Sequence, residues 1–132
     1  VTRFRYILGE NWYYIIHAAF ALQRGMLLRS IFFTGMIRDY AVEVAGLNNG
    51  LQSGTGTSLR DAHKLPSGLL DEIDVTLVKS LTCEAIAEAL RRSTRLFLKE
   101  AHIFSETNGI LAYMKYEEKM NAFLYAFRVY SL

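Results

Sequence analysis

The stretch Gly25 to Gly50 reads GMLLRSIFFTGMIRDYAVEVAGLNNG, and its pattern decides the fold class. Phe33, Met36, Tyr40, Val44 and Leu47 recur at intervals of three and four, the period of one helix face rather than the alternation of a strand. Glycines bracket the run: Gly25 closes whatever precedes it, and Asn48-Asn49-Gly50 closes the run itself. Gly35 and Gly46 inside it would let a neighbouring helix come close.

Upstream, the same period predicts a helix from about Glu10 to Arg24, with residues 1–8 as a linker or domain edge. Downstream, Leu51 to Leu65 turns to Ser, Gly, Thr, charge and His, including Ser53-Gly54-Thr55-Gly56-Thr57, and is expected to be the longest loop. Pro66 suits the first turn of a third helix ending near Ser80. Thr82 and Glu84 open a fourth, to about Phe104, with Ile86, Ala89, Leu90, Thr94, Phe97, Leu98 and Ala101 on a broad apolar face. Ser105 to Gly109 breaks the chain again, and Ile110 to Tyr130 reads as a fifth helix with two apolar sides. The expectation is therefore all-α: an up-and-down bundle of four to five helices over residues 9–104, with 105–132 a C-terminal helix packed on the bundle or on a partner.

A chain of 132 residues, 52% hydrophobic, is long enough for one buried core. Fifteen basic and 13 acidic residues leave a net charge of +2, too little to mark a phosphate-backbone partner, so nucleic acid is not expected. Cys83 is the single cysteine; it cannot form an internal disulfide, suits a reducing cytoplasm, and is expected to be a small packing residue. The apolar run from Trp12 to Leu22 is interrupted by His17 and falls well short of the ~20 residues of a membrane span, so no membrane role is expected. No secretory leader pattern opens the chain. Its start at Val1 fits a domain cut from a longer protein.

Chemistry is sought where polar residues interrupt apolar helices. Glu10, Tyr13 or Tyr14, His17 and Arg24 share one side of the first helix, and a polar stripe on a packed helix can line a cleft, although a solvated face explains it as well. Asp39 and Glu43 are four apart; their like charges repel unless a cation or substrate amine compensates them. Arg38 projects about 100 degrees from Asp39 and is read as a structural tie to Glu10 or Glu88. Arg60, Asp61, His63 and Lys64 sit in the loop before Pro66, where mixed charge can reach a ligand without disturbing the core.

The order of several short segments gives a resemblance. Gly9-Glu10, His17-Ala18-Ala19, Leu22-Gln23-Arg24-Gly25, Ile37-Arg38-Asp39, Leu47-Asn48-Asn49-Gly50-Leu51, Lys64-Leu65-Pro66, Leu77-Val78-Lys79-Ser80-Leu81 and Ala89-Leu90-Arg91-Arg92 together are similar to the helical C-terminal domain of bacterial nucleotidyltransferases. These are relatives of aminoglycoside-modifying enzymes with a polymerase-beta-type catalytic domain. The likeness covers Gly9 to about Ala101 and stops before Ile110. It implies a substrate-binding and dimer-forming domain that works with a separate catalytic domain, which would bring Mg and ATP to a small-molecule acceptor. It also implies that Arg60 and Asp61 lie near the acceptor cleft, beside Glu10, Tyr14, His17, Asp39 and Glu43. The catalytic half of that family carries a Gly-Ser turn and an Asp-x-Asp pair for two metal ions, and neither occurs here. No cofactor is thus expected in this chain, and alone it should not transfer nucleotides.

Two other readings compete. Arg95 and His102, with six residues between them, resemble the loose signature of HEPN ribonucleases, where acid-base chemistry across a dimer seam cuts RNA; here Leu96 replaces the usual polar residue after the arginine. A plain dimerisation module would account for the aromatic-rich tail.

Overall fold

The computed structural model describes residues 1–51 and 59–131, with side chains to residue 126, and is all-helical. Five α-helices follow in order: α1 Thr2–Gln23, α2 Leu27–Asn48, α3 Ser67–Asp74, α4 Cys83–Thr107 and α5 Tyr113–Ser131. A 3-10 turn, Ala62–Lys64, precedes α3. The expected loop group Ser53 to Thr57 lies outside the described residues, as do the side chains of Phe127 and Tyr130.

The first two helices form an antiparallel hairpin. At its tip α1 closes in a Schellman arrangement: Met26 N–H donates to Ala21 O at 2.8 Å and Gly25 N–H to Leu22 O at 3.1 Å. Gly25 has φ +76°, where a side chain would be strained, so the glycine read as a stop acts as one. Ser30 Oγ, buried, donates to Ala18 O at 2.8 Å and ties the two helices near the tip.

The N-terminal residues correct the sequence reading. Helix α1 begins at Thr2, eight residues before the expected start at Glu10, so residues 2–8 are its first turns. Phe4 and Ile7 are fully buried and continue the spacing of Asn11, Ile15, Ala18 and Leu22. Gly9, which looked like a boundary, is a helix-interior glycine costing about 1 kcal/mol of propensity, less than the burial of Phe4 and Ile7 returns.

Helix α2 is the central element, packed on α1 on one side and α4 on the other. Its buried residues are Ser30, Phe33, Thr34, Ile37 and a continuous block from Ala41 to Gly46, which shifts the expected face: Met36, Tyr40 and Leu47 are only partly buried. A helix covered on two sides has no single stripe to read. Helix α4 has one. All seven residues assigned to its apolar face are buried, and Ala85 N–H donates to Thr82 Oγ1 at 3.2 Å, the expected N-cap. At the far end of α2, Asn48 Nδ2 donates to Glu100 O at 2.9 Å and Glu100 Oε1 at 3.0 Å.

Helix α3 is shorter than expected, ending at Asp74 rather than near Ser80. Thr76 terminates it: both its N–H (3.0 Å) and its Oγ1 (2.6 Å) donate to Ile73 O. Beyond it Leu77 and Leu81 are exposed and have no burial to sustain another turn. Cys83 is also exposed, at the first position of α4, and so is not the packing residue expected.

Helix α5 runs antiparallel to α4, held near its start by the fully buried Tyr113, whose hydroxyl donates to Leu98 O at 3.0 Å. Burial pushes the Tyr113 phenol far up. On the outside His102 of α4 places Nδ1 2.9 Å from Glu117 of α5 and Nε2 3.0 Å from Glu106. Glu117 first, then Glu106, raises the His102 imidazole above its ordinary value of 6.5. A raised folded value means that the bridge contributes fully below about pH 6.5 and is lost as pH climbs through the folded value. Amide exchange in α5, corrected for intrinsic rates, is therefore expected to speed up across that interval in the native protein. A His102→Gln variant should show the faster exchange at every pH, and a flat profile in the native protein would exclude the bridge as an anchor.

Candidate functional site

Four residues of α2, Met36, Asp39, Tyr40 and Glu43, fall at i, i+3, i+4 and i+7 and so share one side of the helix. Together with Arg3 from the first turn of α1 they line a recess of about 120 Å³. Arg3 crosses it fork to fork with Glu43: Nε donates to Oε2 at 2.7 Å and Nη2 to Oε1 at 2.9 Å. The Glu43 side chain is 2% exposed and that of Arg3 38%, so the carboxylate is the inner partner and the guanidinium the outer one. Glu43 in turn raises the Arg3 guanidinium above its ordinary value.

Aromatic rings extend from this pair along the α1–α2 seam. The Arg3 guanidinium carbon lies 5.3 Å from the Tyr6 ring centre and 5.9 Å from that of Tyr40. Tyr40 stacks on Tyr14 (5.9 Å, 23°) and Tyr14 on Phe33 (5.8 Å, 29°). His17 joins at 5.7 Å from Phe33 and 4.1 Å from Tyr13, and Arg29 lies 4.9 Å over Phe33. Burial, with the neighbouring Tyr14 and Glu10, pushes the Tyr40 phenol up to about 12, so it stays a neutral donor.

Five of the seven residues expected to form a site therefore gather along α1 and α2, in three different states. Asp39 and Glu43 share the recess, but Glu43 is already neutralised by Arg3. The side chain of Asp39, 35% exposed, is the more accessible carboxylate, with the Arg38 guanidinium beside it, Nη2 3.3 Å from Oδ1. Tyr14 and His17 belong to the aromatic row, and Glu10 accepts from Tyr6 OH at 2.8 Å. Arg60 and Asp61 stand apart from these: Asp61 pairs with Lys64 at 3.3 Å, and Leu65 buries their turn against Val42 and Ala45 of α2. Among the described residues no hydrogen bond or ion pair joins Arg60 or Asp61 to the recess.

Arg38 differs from its expected role. Its guanidinium bonds Asp39, with Nη2 3.3 Å from Oδ1, rather than Glu10 or Glu88. The 100-degree offset holds for the Cβ atoms, but the long arm folds back over Gly35, where an added Cβ would sit 3.4 Å from Nη2. Glu88 is instead occupied by Arg91 and Arg92. Arg3 is the residue that sequence reasoning missed: it is 40 positions from Glu43, and no local pattern links them.

Chemically, the recess offers one solvent-reachable carboxylate, held by the looser of two ion pairs, a phenol donor, and ring faces flanking the tighter Arg3–Glu43 pair. That set suits a single ammonium group on a ring-shaped body better than two cationic groups. Among the described residues no group of three His, Cys, Asp or Glu side chains is placed to hold a metal ion, and no helix is long and apolar enough to cross a membrane. Comparison of the chain with protein families, with characterised proteins and with solved structures gives no match.

Proposed function

We propose that this chain is the substrate-recognition domain of a nucleotidyltransferase-like enzyme, in which a separate catalytic domain supplies the Mg and ATP chemistry. The observation that carries this reading is the recess with Asp39 at its opening, Glu43 locked inside by Arg3, and tyrosine rings alongside. The acceptor is a small amino-bearing molecule of aminoglycoside type. Asp39 exchanges its 3.3 Å contact with Arg38 for a charge-assisted bond to the ammonium group, Tyr40 and Tyr14 provide faces for its ring carbons, and Glu10 and His17 continue the wall. Arg60 and Asp61 fall outside the proposed contacts, because the turn that holds them is anchored on another side of α2. The assembly is cytoplasmic and homodimeric in this reading. Tyr6, Tyr13 and Phe20, seven apart on α1, are exposed with Leu28 and Phe32 of α2 and give a face for the second copy or the catalytic domain.

Titrating the 132-residue chain with an aminoglycoside tests this by NMR. Saturable shifts should centre on Asp39 and Tyr40, and Asp39→Asn should weaken binding by roughly tenfold, the worth of one charge-assisted contact. The isolated chain should give no nucleotidyl transfer with Mg and ATP. Shifts elsewhere, or an unaffected Asp39→Asn variant, would remove the acceptor from this recess. The ribonuclease reading is not favoured, since both ring nitrogens of His102 are engaged by carboxylates. Metal-independent RNA cleavage abolished by His102→Ala would restore it.

A further inference from the structure

The outer side of α4 carries Arg91, Arg92, Arg95 and Lys99 within nine residues. Three of these cations are compensated inside the fold. Arg91 and Arg92 both bind Glu88, and Lys99 binds Glu72 and, at 3.2 Å, Glu100. Arg95 has no hydrogen-bond, ion-pair or ring partner among the described residues, although Arg91 and Lys99 stand one turn to either side. Like charges at that spacing repel, and among the described residues nothing offsets the charge on Arg95.

That place is concave on both sides. Toward α5, Arg91 and Arg95 line a recess of about 150 Å³ with Asn121, Leu124 and Tyr125. Toward α3, Arg92 and Arg95 line another of about 170 Å³, walled by Val75 and Leu96 and rimmed by Glu72 and Lys99. The α5 recess combines two guanidinium groups four residues apart, a side-chain amide that both donates and accepts, and an exposed phenol ring beside an aliphatic side chain. Guanidinium forks recognise phosphate oxygens. A ring and an amide offer a planar base a stacking face and a hydrogen-bonding edge. The α3 recess has no such amide and is edged by Glu72, whose carboxylate opposes a bound anion.

We propose that Arg95 anchors the phosphate of a mononucleotide in the α4–α5 recess, with Arg91 as its second guanidinium and Tyr125, Leu124 and Asn121 against the base. This site is separate from the α1–α2 recess and stands whether or not an amino-bearing acceptor binds there.

The test is an NMR titration of the full 132-residue chain with AMP, adenosine, inorganic phosphate and a short single-stranded RNA. AMP should give saturable shifts confined to residues near Arg91, Arg95, Asn121 and Tyr125, with adenosine and inorganic phosphate each binding at least about tenfold more weakly. Arg95→Gln should weaken AMP by roughly ten- to a hundredfold, Arg95→Lys by less, and Arg60→Gln not at all. Arg95 is exposed, so these variants keep the fold, and unchanged dispersion of the core methyl signals verifies that. Equal binding of AMP and adenosine overturns the proposal. So does inorganic phosphate as tight as AMP, an Arg95→Gln variant that binds AMP normally, or RNA binding without AMP binding.

Discussion

Replacing Phe4 with Ala is expected to lower the unfolding free energy by about 3–5 kcal/mol, as seen when a large ring is removed from a core that cannot collapse around the void. Phe4 is fully buried, with its ring 4.5 Å from that of Phe104 and 6.2 Å from that of Tyr113. One side chain in the first turn of α1 thus joins the C-terminal half of α4 and the first residue of α5. Urea unfolding of the variant measures the loss. Were residues 1–8 a linker, the same substitution would change stability by no more than about 0.5 kcal/mol, so the two outcomes are well separated.

Arg3→Ala is the second large effect. Truncation leaves the Glu43 carboxylate shielded from water without its fork, and removing one partner of a buried pair costs about 3–5 kcal/mol. Because the Arg3 side chain is 38% exposed, water can partly replace it, and a loss of about 2–3 kcal/mol is expected. Arg3→Lys should recover only part, since an ammonium group cannot match both carboxylate oxygens. Adding Glu43→Gln to Arg3→Ala should restore stability relative to Arg3→Ala alone, because the stranded charge is gone. Thermal or urea unfolding of the four members of that cycle checks the coupling, and simple additivity would mean that the pair is not interacting.

What could be read from the sequence follows from how many neighbours each helix has. Helix α4 is covered on one broad side, so its period is clean and every residue assigned to its apolar face is buried. Glycine stops were equally legible, because the left-handed backbone at Gly25 and Gly50 is a local property that needs no knowledge of the rest of the fold. Helix α2, sandwiched, buries Glu43 and Thr34 along with its aliphatic residues, and its face could not be drawn from periodicity. Asn11 shows the same limit on α1. It is fully buried, and neither its amide nitrogen nor its oxygen finds a partner among the described side chains or backbone.

At the recess, the residue types were visible and their pairing was not. Asp39 and Glu43 are one helical turn apart, which the sequence states directly. That one of them is bound by Arg3 depends on the α1–α2 crossing, a tertiary fact. The expected dicarboxylate thereby becomes two arginine-carboxylate pairs, a tight inner one at Glu43 and a looser outer one at Asp39, and the charge of an acceptor that fits it is reduced accordingly.

The ring of Phe4 meets Phe104 and Tyr113, and this has a bearing on how the chain assembles as it is made. The α1–α2 hairpin is local and can zip as soon as residue 48 is available, its tip already fixed by Gly25 and by Ser30 on Ala18. Its other end has the Arg3–Glu43 pair but not its apolar cover. Phe4 lacks its ring partners until about 65 more residues, 49 to 113, have been polymerised, because Phe104 and Tyr113 emerge that late. At ribosomal speeds of about 5–20 residues per second this is an interval of several seconds. For that time the nascent hairpin displays a greasy open end, and it is there that a chaperone would find its grip.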